Sequence, residues 1–197
     1  YASGSAAILA AAGKMPAFPG VLRKSFLQLS EDTLKIETIL ELFAYTEWAN
    51  WRLLASAAAL SPDALRTPVD LSFKTVWGTL LHMADCEWGW LRICRGEDAA
   101  PWLWDVVALP DLAALVAWWE AEATSRRAYL QTLSPSLLEG PLPPAAGGEP
   151  QSLSLEQALL HVVNHATQHR GEIGRALAAA GQDPGDMDFT VYLRRER

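Results

Sequence analysis

Histidine is scarce in this chain, and three of its four copies fall in HVVNHATQHRG, residues 161–171. His161, His165 and His169 are spaced four apart, so on a helix they form one ladder on one face. Two imidazoles one helical turn apart can reach a single divalent cation. The spacing fits the pair His161 and His165 as well as the pair His165 and His169. A third ligand must come from another element, and His82 is the remaining histidine. Three protein ligands leave at least one position of the ion open, the arrangement of catalytic rather than structural sites. A cation held that way lowers the pKa of water or a thiol bound to it. Spacing alone leaves a second reading in place, histidines that only hydrogen-bond within a core.

Other side chains near His82 carry weaker signals. Cys86 follows it by four residues and shares its helical face. As a thiolate it would be a fourth ligand and close the site; as a thiol it is a core residue, the reading we favour. Asp85, which flanks the same turn as Glu87, either orients a ligand imidazole through its second N–H or lies on solvated surface. Several chemistries are excluded. There is no H-E-x-x-H, no Glu-x-x-His pair of the di-iron bundles, no phosphate-binding glycine loop and no G-x-S-x-G elbow.

The elements that must position these residues read as helices nearly throughout. A first long helix is expected over about 32–60, capped by Ser30 or Asp32. Its apolar stripe is Leu34, Ile36, Ile39, Leu40, Phe43, Trp48, Trp51 and Leu54, and Ser61-Pro62 ends it. A second is expected over about 73–95, with Ser72 as cap and Gly96 as stop. Residues 96–110 form a connection whose Trp102 and Trp104 are expected to fold back over a bundle end or a pocket. A third helix is expected over about 111–133, capped at Asp111. A long Pro/Gly-rich loop, EGPLPPAAGGEPQS, follows, with room for an extended ribbon. The fourth helix opens on the capping box Ser154-Leu155-Glu156-Gln157 and stops at Gly181. A short last helix covers about 188–195. Four long helices and no strand alternation predict an all-α four-helix bundle. The nine tryptophans are assigned mostly to its core.

Three segments carry a family resemblance. NHATQHRGEIG, residues 164–174, resembles the signature of the DinB/YfiT-like superfamily of metal-binding four-helix bundles. YTEWANWRLL, residues 45–54, resembles that family's first-helix pattern. VWGTLLHMADCEWGWL, residues 76–91, is similar to its leucine-histidine segment. The resemblance spans roughly residues 33–193. It implies a metal set of His82, His165 and His169, and leaves His161 as a packing residue or a neighbour of the ligands. Asn50 and Arg52 match the first-helix pattern, and we read them as an interhelical hydrogen bond and a surface charge. The family often has glutamine after Arg-Gly where this chain has Glu172, which either tunes a ligand or lies on the surface. Known members include thiol-dependent S-transferases, a thiol-dependent isomerase and proteins described as metal-dependent hydrolases.

Bulk properties set the outer limits. The 197 residues suit one domain with an appendage: an N-terminal extension over 1–30 and a bundle over 31–197. Residues 1–14, ahead of Met15, read as an upstream extension or an added tail. The net charge of −7 excludes a general nucleic-acid binder, since basic residues cluster only as Arg194, Arg195 and Arg197 at the tail. No segment reads as membrane-spanning. Cys86 and Cys94 are separated by about 12 Å of helical rise, which forbids a disulfide; reduced thiols point to the cytoplasm.

The functional expectation is metal-assisted transfer of a low-molecular-weight thiol to a small electrophile, or hydrolysis of a small substrate, in detoxification or stress response. No general base is assigned. The ion is expected to be zinc or nickel, with iron, manganese or copper as alternatives. The family resemblance adds a homodimer. The competing class is a non-catalytic, metal-stabilised or metal-sensing bundle that acts through partners.

Overall fold

The computed structural model describes residues 31–98, 101–144 and 152–195, with side chains from residue 36 onward. The N-terminal extension, Ser30 as a cap, the Leu34 side chain, Arg197 and the middle of the Pro/Gly-rich loop lie outside the described residues. The packing below is that of Lys35–Arg197, which cluster as one unit.

The described residues are helical, in the order α1 (Glu31–Ala57), α2 (Pro62–Arg66), α3 (Val76–Cys94), α4 (Leu103–Val106), α5 (Leu112–Leu130), α6 (Pro135–Glu139), α7 (Leu155–Ala179) and α8 (Phe189–Arg194). The all-α reading therefore holds. α1, α3, α5 and α7 are the long ones, and α3 packs along α7. No described helix is long and apolar enough to cross a membrane.

Local chemistry explains most boundaries. Ser154 and Gln157 form the predicted capping box, each side chain meeting the other's backbone N–H. Asp111 caps α5 by accepting from the Ala114 N–H. Gly96 and Gly181 sit at φ +75° and +77°, the left-handed conformation in which a helix stops at least cost. The expected start of the second helix was misplaced. Thr75, not Ser72, caps α3, its hydroxyl accepting from Gly78 N–H at 2.8 Å. Asp32 is also inside α1 rather than at its cap. α1 stops at Ala57, a little before the expected Ser61-Pro62 break, and that pair starts α2, with Ser61 as cap and Pro62 at the first turn, where a missing N–H costs nothing.

Two apolar clusters share the long helices. One gathers Leu53, Leu54, Leu80, Met83, Leu115, Trp119, Ile173 and Leu177. The other gathers Ile39, Phe43, Leu91, Leu130, Leu155, Leu159 and Val162. The loop before α7 does run as a short ribbon where it is described, with Pro141 bridged to Ser154. The chain end returns to α1. Tyr45 donates to the Met187 carbonyl and packs its ring on Phe189 and Tyr192.

The tryptophans lie mostly at the core, as expected: Trp119 is buried, and Trp48, Trp51, Trp77, Trp88, Trp90 and Trp118 pack half-buried against the apolar clusters. Two expectations need correcting. Trp102 and Trp104 stack on one another and stay 59% and 44% exposed; it is Leu103 between them that is buried. Arg52 is no free surface charge, since its Nε and Nη2 both donate to the Pro184 carbonyl, at 3.0 and 2.7 Å. Asn50 does make interhelical bonds, as expected.

Candidate metal centre

The pairing of α3 with α7 brings His82 to the histidine ladder. Met83 and Ala84 on α3, and Val162, Ala166 and Ile173 on α7, fill the core. That burial turns the intervening histidine positions toward the edge of the helix pair. His82 and His165 are half-buried and His169 is buried. His165 Nε2 lies 3.3 Å from His82 Nε2 and 3.2 Å from His169 Nε2. All three ligand nitrogens fall within 4.8 Å of one another, and they form the one such group among the described residues.

The donor set fits a cation. Nitrogens bound to one tetrahedral ion at 2.0–2.1 Å must be about 3.3 Å apart, close to the spacings the two pairs adopt. Burial, followed by the neighbouring His169 and His165 rings, pushes the pKa of His82 down to about 4. Burial, then the His169 and His161 rings, also lowers that of His165. Both rings are thus held in the neutral form that ligates metals.

The remaining expected residues fall into place around this group. His161 is exposed, with its ring against Trp90 at 4.6 Å and 5.7 Å from that of His165, and stands outside the convergent set. Cys86 Sγ is 3.5 Å from His82 Nε2 but is also outside it. Burial, with Asp85 and Glu87 nearby, pushes the Cys86 thiol up to about 12. Asp85 neither orients a ligand nor faces solvent: it is buried and accepts the Leu103 N–H at 2.7 Å. Glu172 reaches His169 Nδ1 at 3.3 Å with one oxygen and accepts a hydrogen bond from the Ser72 hydroxyl at 2.8 Å with the other. Burial alone would raise this carboxyl; hydrogen bonds from Ser72 and His169 hold it below the usual range.

The segment from Val69 to Thr75 closes over the site. Phe73 stacks on His82 with ring centroids 3.7 Å apart and meets His169 edge-on at 5.9 Å. A Cβ at Gly78 would lie 2.7 Å from the Phe73 carbonyl oxygen, so this helical glycine is what lets the segment sit so close. Sequence reasoning missed Phe73 altogether. An aromatic just ahead of the His82 helix, followed by a glycine in its first turn, was the available signal.

Residues 30–197 match the DinB family. The chain belongs to the DinB family. Protein DinB of Bacillus subtilis (strain 168) is 26% identical over 160 residues, which cover 78% of this chain and 92% of that protein. In this DinB-family chain the His-x3-His ladder and the distant histidine therefore sit inside the family's matched region, and the three side chains named from the sequence are the three that meet.

Proposed function

We propose that this DinB-family protein binds one divalent cation through His82, His165 and His169. With that ion it transfers a low-molecular-weight thiol to a small electrophile or hydrolyses a small substrate. The observation that carries the reading is the convergence of three imidazoles at the α3–α7 pair. Imidazole donors suit zinc or nickel. Such an ion supplies Lewis acidity, polarising a bound group and lowering its pKa. The chain's own residues do the rest. The three imidazoles hold a fixed donor geometry. Phe73 covers one side with apolar surface and keeps water off the His82 ring. The half-buried faces of His82 and His165 leave the approach for a small substrate.

Untagged protein should carry about one equivalent of metal per chain, and His169→Ala should weaken binding by more than about 100-fold, the upper end for losing even an outer partner. Metal-loaded protein should then form adducts between a small electrophile and bacillithiol, mycothiol or glutathione, or release a hydrolysis product, above the metal-free control. Metal binding without turnover in either assay would overturn the enzymatic reading.

The proximity of Cys86 to His82 supports a second reading, a closed and non-catalytic centre. Cys86→Ala separates the two: retained metal affinity favours the open site, and a large loss favours the closed one.

A further inference from the structure

We propose that Glu172 is a positioning residue that fixes the His169 ring for ligation and, through Ser72, ties the Phe73 segment over the same site. The inference rests on the metal-centre reading above.

The two nitrogens of His169 face different partners. Nε2 lies 3.2 Å from His165 Nε2, inside the convergent group, and Nδ1 lies 3.3 Å from a Glu172 oxygen. A neutral imidazole carries one N–H and one lone pair. An acceptor-only carboxylate beside Nδ1 draws the proton there and leaves the Nε2 lone pair facing the other rings. The same contact opposes a flip of the ring, which would put Cδ2 in place of Nδ1 and Cε1 in place of Nε2.

Both carboxylate oxygens are in use. Oε1 accepts the Ser72 hydroxyl at 2.8 Å; Oε2 faces His169 Nδ1 and also accepts the Ser72 N–H at 3.4 Å. Three donors converge on one side chain. A carboxamide can keep these contacts only with its NH2 donating to the Ser72 hydroxyl and one neutral oxygen on the ring, so glutamine removes the negative charge that favours the proton on His169 Nδ1. Ser72 directly precedes Phe73, which stacks on His82. Lys74 then turns back with φ +62°, a conformation that costs a non-glycine residue energy and needs anchors on either side. Glu172 supplies the anchor before it and the Thr75 cap the one after. A single carboxylate thereby couples His169 on α7 to the aromatic cover on His82.

The test uses untagged, full-length apo-protein titrated with zinc by calorimetry and with cobalt(II) by visible absorption. Glu172→Gln should weaken zinc binding by about 10- to 100-fold, as for other outer partners of ligand histidines, and alter the cobalt(II) spectrum. The melting temperature of its apo form should stay at the wild-type value. Ser72→Ala should weaken binding less, because it leaves the contact to His169 in place. Wild-type affinity in Glu172→Gln would overturn the inference, as would an affinity loss matched by a lower apo melting temperature, the mark of a merely structural role. Failure of the metal-centre reading looks different, since wild type itself would then bind neither ion.

Discussion

Glu122, on α5, has one carboxylate oxygen buried without a hydrogen-bond partner. Burial raises its pKa above 4.5, and Arg95 and Arg126 only partly offset this. A carboxyl whose folded pKa is raised holds its proton more tightly in the fold than in the unfolded chain. Its charged form is therefore a penalty at neutral pH, and the penalty fades as pH falls through the folded value and is gone below the unfolded one. Glu122→Gln should raise the melting temperature at pH 7, and the gain should vanish below about pH 4.5, the unperturbed carboxylate range. Thermal melts of both proteins across pH 4–8 check this; an equal gain at every pH would mean that charge is not the cause. Carboxylates were the least legible residues in the sequence. Histidines announce themselves by rarity and spacing, which marked all four, while the choice of His169 over His161 came from the family resemblance. Asp85, Glu87, Glu122 and Glu172 occupy four different environments, and nothing in a one-residue letter distinguishes them. Their roles depend on which neighbouring helix or loop brings a donor, and that is decided by tertiary packing.

At the level of elements, hydrophobic periodicity and caps revealed the long helices, while the short turns between them stayed obscure. Ser154 was recognisable because its hydroxyl and the Gln157 amide stand at the one spacing that satisfies both backbone groups. Before α3 the expectation named Ser72 alone as the cap and passed over Thr75, a second hydroxyl three residues on that periodicity does not distinguish from it. The choice was made by Glu172, which takes Ser72 away from capping, and by the left-handed Lys74, which lets the chain turn into Thr75. The two serve different ends and should separate experimentally. Thr75→Ala removes the acceptor for Gly78 N–H and should cost about 1 kcal/mol of stability, the usual price of a lost hydroxyl cap. Ser72→Ala should cost less than half of that in the apo-protein. Urea denaturation followed by circular dichroism measures both, and a larger loss for Ser72→Ala would show that it, too, supports the helix start.

Across the whole molecule, the four long helices are joined at one buried polar point. Glu87 on α3 accepts from Asn50 on α1 at 2.7 Å, and from Trp119 and Arg126 on α5 at 3.0 and 2.8 Å. Asn50 in turn accepts from Arg170 on α7 at 3.2 Å. Glu87, Arg126 and Arg170 are all nearly inaccessible to water. Along α3 this point lies between Ala84 of one apolar cluster and Leu91 of the other. Apolar packing tolerates sliding of one helix past another, whereas this set of bonds is satisfied in one register only. The register matters for function, because a one-turn slip of α3 against α7 would move His82 about 5.4 Å from its partners. Glu87→Ala leaves the buried Arg126 with only its 3.8 Å contact to Glu47, and takes the acceptor from the Trp119 N–H and the Asn50 NH2, so it should cost about 3–5 kcal/mol, the range for breaking a buried ion pair from one side. Replacing both partners, Glu87→Leu with Arg126→Leu, removes the stranded charge and should recover part of that loss, since paired apolar substitutes for buried ion pairs are often tolerated. Denaturant unfolding of the two single variants and the double variant gives the coupling directly. A single-variant cost below about 1 kcal/mol, within the range of an exposed pair, would mean that apolar packing alone sets the register and that the alignment of His82 with α7 does not depend on Glu87.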